Sequence, residues 1–159
     1  MNTARLLRHP IHCLALGFGS GLAPKAPGTF GTLAALPVVW LAQQTGSWGY
    51  LALTLLVVIA GVGICGYTAK AMGEHDSPAI VWDEIAGYMV AFIGLSWTWQ
   101  NLLLAFLLFR LLDITKPGPI GWCDRKLTGG LGIMADDVVA GVATGLIIQL
   151  GYIALNLLH

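Results

Sequence analysis

Eight of the 159 residues are acidic, and their grouping is the first feature that could do chemistry. Asp83-Glu84 and Asp136-Asp137 are adjacent pairs, Asp113 stands alone between them, and Glu74-His75-Asp76 precedes them. Four or five carboxylates converging at low dielectric cannot all stay ionised unless a cation holds them. An oxygen-only set, with no cysteine and little histidine, selects a hard ion such as Mg²⁺. The candidate metal ligands are Asp76, Asp83, Glu84, Asp136 and Asp137. Neighbours on one helix point about 100° apart, so Asp83 and Glu84 are expected on different faces, only one of them meeting the ligand directly. The competing reading is structural: a salt bridge to Lys70, Arg110 or Lys116 would also relieve carboxylates placed this near a bilayer.

A second feature suits an anion. Residues 21–32 read GLAPKAPGTFGT, with Lys25, Gly28, Thr29 and Thr32 as candidate phosphate contacts. Glycines let backbone N–H groups turn toward an anion, threonines add hydroxyl donors, and lysine adds a point charge. A helix beginning near Gly31-Thr32 would contribute its N-terminal dipole. The stretch is not a Walker A loop, because the lysine precedes the second pair of glycines and no strand leads in. It also reads as a plain Gly/Pro connector with one snorkelling lysine. Together, an anion loop and a carboxylate cluster suggest one site for a phosphorylated substrate.

The elements that must position these residues are apolar. Hydrophobic residues make up 57% of the chain, charged residues 10%, and mean hydropathy is +0.77. Soluble domains carry about 25% charged residues, so an ordinary cytosolic globule is unexpected, as is disorder. Eight Lys/Arg balance eight Asp/Glu, which leaves no basic footprint for nucleic acid. The expectation is one all-α membrane-embedded domain over residues 1–159, with about five hydrophobic helices and a short interfacial N-terminal segment over 1–15. Arg5 and Arg8 ahead of an apolar run also permit a signal peptide, a weaker reading because Pro10 breaks the segment.

Residues 50–69 and 138–158 are long enough to cross a bilayer. Residues 33–42 form a shorter segment containing Pro37, and Ser77-Pro78 suggests an N-cap for a helix reaching about Leu95. A further apolar helix over 101–112 ends at Asp113. The last span begins directly after Asp136-Asp137. Nearly all ionisable residues fall in three islands, around Lys25, over 70–84 and over 110–137, with two apolar segments between successive islands. That parity puts the islands on one face of the membrane, and their lysines and arginines make it the cytoplasmic face.

Smaller signals are read as structural. Cys13, Cys65 and Cys123 are isolated and expected to be reduced, and His9 and His12 are expected at the membrane surface. The six tryptophans are read as interface anchors, and Gly61-Val62-Gly63 as a close helix contact. No GxSxG elbow occurs. The DxxDG…D…D pattern of CDP-alcohol phosphotransferases and the KxxxxxxRP…PSGH…H pattern of another membrane phosphatase superfamily are absent too. A small transporter or proton carrier using the clustered carboxylates is the rival function, although no inverted repeat is evident.

Four motifs in order, GLAPKAPGTFGT (21–32), VWDEIAG (81–87), FRLLDITKPGPI (109–120) and GIMADDVVAG (132–141), closely resemble the phosphatidylglycerophosphatase A family. The resemblance implies an all-α, Mg²⁺-dependent lipid phosphatase of the bacterial inner membrane. Its substrate would be phosphatidylglycerophosphate, and its products phosphatidylglycerol and inorganic phosphate. Lys25 and Thr29 match the family's phosphate-side loop, and Asp83, Glu84, Asp113, Lys116, Asp136 and Asp137 match its acidic and basic positions. Asp76 falls in a less constant stretch. On this reading Asp83, Glu84, Asp136 and Asp137 hold Mg²⁺, and Lys25 and the loop amides bind phosphate. Asp113 is the candidate general base or ligand support, and Lys116 contacts the leaving group or headgroup.

Overall fold

The computed structural model describes residues 3–74 and 77–158 and is all-helical over them. His75 and Asp76 lie outside the described residues. Two short helices, α1 (Thr3–Leu6) and α2 (Pro10–Ala15), lead into a 3-10 segment, Gly17–Leu22. Then come α3 (Pro27–Gln43), α4 (Gly46–Met72), α5 (Trp82–Ala91), α6 (Trp99–Thr115), α7 (Pro119–Lys126) and α8 (Gly129–Leu157).

Among the described residues, only α4 and α8, at 27 and 29 residues, are long and apolar enough to cross a membrane on their own. Their most apolar windows are just 22% and 28% buried in the protein, whereas the core helix of a soluble domain would be mostly covered. Leu55, Leu56 and Ile59 on α4, and Leu146, Ile147 and Leu150 on α8, point outward. An apolar exterior of this extent matches a lipid surround.

Several boundaries differ from the sequence expectation. The helix expected from Ser77 begins at Trp82 instead, because Ser77 accepts the Ile80 N–H in a turn and Val81 N–H donates to Ala15 O at 2.9 Å. At ten residues, about 15 Å, α5 is shorter than a bilayer core. By contrast α3 starts earlier, at Pro27, and runs through Pro37 without interruption. The last helix starts at Gly129, so Asp136 and Asp137 sit inside it rather than ahead of it.

Short α5 is completed by the loop over residues 92–98, and side-chain amides satisfy that loop's carbonyls. Gln43 Nε2 donates to Leu95 O at 2.8 Å, Gln149 Nε2 to Ile93 O at 2.9 Å, and Asn101 Nδ2 to Ser96 O at 2.9 Å. This gives the isolated polar residues in otherwise apolar helices a structural role, since irregular backbone leaves carbonyls that need partners. Below the loop, Ile85, Tyr88, Met89, Phe92 and Phe109 form the main core with Val39 and Ile148. Not every tryptophan is an anchor: Trp82 packs inside and donates to Val57 O at 3.1 Å, while Trp48 and Trp99 are exposed. His12 is likewise buried, paired with Thr68 Oγ1 at 2.9 Å and stacked on Tyr67, and His9 beside it is exposed. Gly61 does admit a close contact, with Met134 and Trp82, whereas Gly63 faces open space.

Candidate active site

The carboxylates are brought together by two helices that run in the same direction and touch backbone to backbone. A Cβ placed on Gly87 of α5 would lie 2.7 Å from Asp137 O, and one on Gly141 of α8 would overlap Gly87 O. Asp83 precedes Gly87 by four residues, and Asp137 precedes Gly141 by four, so each carboxylate stands one turn before the contact on the same helix face. On α6, Phe109 packs against Gly87, and Arg110 and Asp113 follow, three residues apart. From α3, Gly28 reaches the cluster: its Cα lies against Glu84 Oε1 and the Arg110 guanidinium, leaving no room for a side chain.

Two overlapping groups of carboxylates result. Ligand-capable atoms of Asp83, Glu84 and Asp137 lie within 4.8 Å of one another, as do those of Asp113, Asp136 and Asp137. The expectation that Asp83 and Glu84 diverge is therefore corrected. At the first turn of α5 the longer Glu84 side chain reaches back to the same space that Asp83 enters.

The two groups differ in how their charge is met. Asp113 accepts from Arg110 Nη1 at 2.5 Å, and Asp136 accepts from Lys116 Nζ at 2.7 Å. Lys116 also binds Asp124 of α7. Burial pulls the Lys116 pKa down, but the bonds to Asp124 and Asp136 outweigh it and hold the ammonium above the usual lysine range. Asp83 Oδ1 and Glu84 Oε2 are different: both are buried and neither has a partner among the described residues. Arg110 Nη1 is 3.7 Å from Glu84 Oε1, a distant partner for a carboxylate so enclosed. Leaving such oxygens unmatched costs about 1–3 kcal/mol each, and more when charged. A hard cation at Asp83, Glu84 and Asp137 fits the donor set.

The anion loop divides. Gly28 is at the cluster, Thr29 is half-buried beside it, and Lys25 is exposed with no partner among the described residues. Thr32 is not placed as a ligand contact: it is fully buried, and its hydroxyl donates to Gly28 O at 2.9 Å, fixing the first turn of α3. Ala26, in the left-handed region at φ 49°, caps α3 without a side-chain bond, leaving that turn to the cluster. Sequence reasoning treated Arg110 only as a possible salt-bridge partner and gave Asp124 no part. The available signal for Arg110 was its spacing from Asp113, which places both on one helix face.

Comparison with known proteins gives a consistent result. The sequence profile of phosphatidylglycerophosphatase A matches residues 13–152. Phosphatidylglycerophosphatase A of Escherichia coli is 45% identical over 149 residues, covering 92% of this chain and 86% of that protein. The Haemophilus influenzae protein of the same name is 46% identical over 138 residues, covering 86% and 85%. A Bacteroides thetaiotaomicron relative, named as a candidate phosphatidylinositol-3-phosphatase, is 35% identical over 148 residues, covering 85% and 89%. No solved structure matches the chain significantly.

Proposed function

The chain belongs to the phosphatidylglycerophosphatase A family, and from that premise we propose that it removes the terminal phosphate of phosphatidylglycerophosphate in phosphatidylglycerol synthesis, using Mg²⁺. The observation that carries the metal assignment is the pair of buried, unpartnered oxygens, Asp83 Oδ1 and Glu84 Oε2. Asp83, Glu84 and Asp137 would hold the ion, with Asp136 beside them. Asp76, outside the described residues, is a further candidate ligand. Bound there, Mg²⁺ supplies Lewis-acid neutralisation of the phosphate.

The chain's own groups do the remaining work. Gly28 and Thr29 present the start of α3 to the phosphate, where backbone amides and helix dipole favour an anion. Lys25, exposed three residues earlier, reaches the headgroup from the solvent side. Asp113 would hold the nucleophile's proton, its orientation fixed by its bond to Arg110. Lys116 holds Asp136 and turns the chain into α7, at the edge where the leaving hydroxyl of the phosphatidylglycerol headgroup would depart. Enclosure by apolar helices keeps the local dielectric low and strengthens each of these contacts.

The reading places the protein in the bacterial inner membrane with α3, α4, α5 and its loop, α6 and α8 crossing. The carboxylate end also carries Lys70, Lys116, Arg125 and Lys126, which supports a cytoplasmic orientation by the positive-inside rule. The test is phosphate release from phosphatidylglycerophosphate in detergent micelles, with Mg²⁺ and then with EDTA. Phosphatidylinositol 3-phosphate serves as the competing substrate. Mg²⁺-dependent release from phosphatidylglycerophosphate supports the reading. Release that survives EDTA overturns the metal assignment, and faster release from the inositol lipid overturns the substrate. No release by folded protein favours the carrier alternative.

A further inference from the structure

Arg110 lies near the end of α6 with a side chain only 14% exposed. One of its nitrogens, Nη1, meets both carboxylate partners, Asp113 at 2.5 Å and Glu84 at 3.7 Å. Its other edge is unspent. Nε is buried without a partner, and Nη2 donates to no described residue. Nε and Nη2 are the parallel donors of the guanidinium fork, whose spacing matches two oxygens of one phosphate. Gly28 meets the end of the guanidinium next to this edge, since a Cβ there would lie 3.0 Å from both Nη1 and Nη2. Beside the guanidinium, then, is the opening turn of α3, itself without a side-chain cap.

A donor edge whose Nε is buried and unpartnered, between a helix start and a carboxylate cluster, calls for an acceptor from outside the chain. The carboxylates cannot supply it, because Asp113 and Glu84 already approach from the Nη1 side. We propose that the Nε–Nη2 edge of Arg110 receives the scissile phosphate, binding two of its non-bridging oxygens beside Gly28. Arg110 is then a substrate-binding residue, and its Nη1 contacts hold the fork at the correct angle. Lys25, exposed and further out, is left for the rest of the headgroup. This assignment rests on the phosphatase reading above.

The experiment measures inorganic phosphate binding to the detergent-solubilised full chain, saturated with Mn²⁺, for wild type, Arg110→Lys and Arg110→Gln. Lysine keeps the charge near Asp113 and Glu84 but loses the fork. Phosphate affinity is expected to fall about tenfold or more in Arg110→Lys, and further in Arg110→Gln, as for loss of charge-assisted hydrogen bonds. Mn²⁺ binding, read by electron paramagnetic resonance, should hold in Arg110→Lys, which keeps the charge, and not weaken in Arg110→Gln, where removing a neighbouring cation favours another. Phosphate affinity unchanged in both variants overturns the proposal and reduces Arg110 to an anchor for Glu84 and Asp113. Thermal unfolding checks integrity, and should Arg110→Gln fail to fold, the Lys variant alone decides. Wild type that binds phosphate through Arg110 yet hydrolyses no phosphatidylglycerophosphate sinks the substrate assignment and keeps this site. Normal hydrolysis with undiminished phosphate binding in Arg110→Lys sinks only this inference.

Discussion

Gly87 of α5 and Gly141 of α8 meet so closely that neither position has room for a methyl group. Each lies four residues after a site carboxylate, Asp83 and Asp137, so this backbone contact sets the distance between the two acids. Alanine normally stabilises a helix interior over glycine by about 0.5–1 kcal/mol. Here the sign should reverse. Gly87→Ala and Gly141→Ala are expected to destabilise by about 1–3 kcal/mol, as overpacked cores do, and to weaken Mn²⁺ binding. Thermal unfolding and Mn²⁺ titration check both. A stabilised variant with intact cation binding would show that the two helices need not touch.

That contact was written in the sequence twice, as D-x-x-x-G in Asp83–Gly87 and again in Asp137–Gly141, yet spacing within one helix cannot say which partner each face meets. The all-helical class, the loop around Gly28 and the convergence of Asp83, Glu84, Asp113, Asp136 and Asp137 followed from patterning and motif resemblance. Three features did not. The late start of α5 depends on Val81 bonding to Ala15, a contact between segments 66 residues apart. Thr32 resembled a phosphate donor because hydroxyls favour both ligands and the preceding turn of their own helix. Arg110 is hidden in the sequence because a lone arginine next to acids reads as their counter-ion, and only the folded structure shows which edge is spent.

Charge compensation ranks the carboxylates. Asp136 is met by Lys116, whereas Asp83 has an unmatched buried oxygen and Asp137 belongs to both groups. Asp83→Asn and Asp137→Asn are therefore expected to lower cation affinity by at least about 10–100-fold, the size seen even for residues that only support ligands. Asp136→Asn should cost less than either. Mn²⁺ titration of the three variants gives the order directly. A loss largest in Asp136→Asn would move the ion to the Asp113 side of the cluster.

Thr32 and Lys25 should separate stability from binding. Thr32→Val keeps the shape of a fully buried side chain and removes one hydrogen bond to Gly28 O. A stability loss of about 0.5–1.5 kcal/mol is expected, with KM nearly unchanged. Lys25→Met removes an exposed charge and should raise KM for the lipid while leaving the unfolding midpoint in place. Steady-state kinetics with thermal melts distinguish them, and a large KM rise in Thr32→Val would return its hydroxyl to the substrate.

Lys116 gives a pH signature. Its ammonium is buried enough to lose hydration, yet the bonds to Asp124 and Asp136 prevail and raise its pKa above the ordinary lysine value. A group raised on folding adds stability that is fully present below its unfolded pKa and disappears as pH rises through the folded one. For lysine the first limit lies near about 10.4. The difference in melting temperature between wild type and Lys116→Met should thus be constant through neutral pH and shrink only in strongly alkaline buffer. Asp124→Asn removes one of the two carboxylates, lowers the folded-state pKa, and should end that decline at lower pH with a smaller total loss. Melting curves at stepped alkaline pH measure the shift. A difference already closing near neutrality would mean that desolvation, and not the paired carboxylates, governs this lysine.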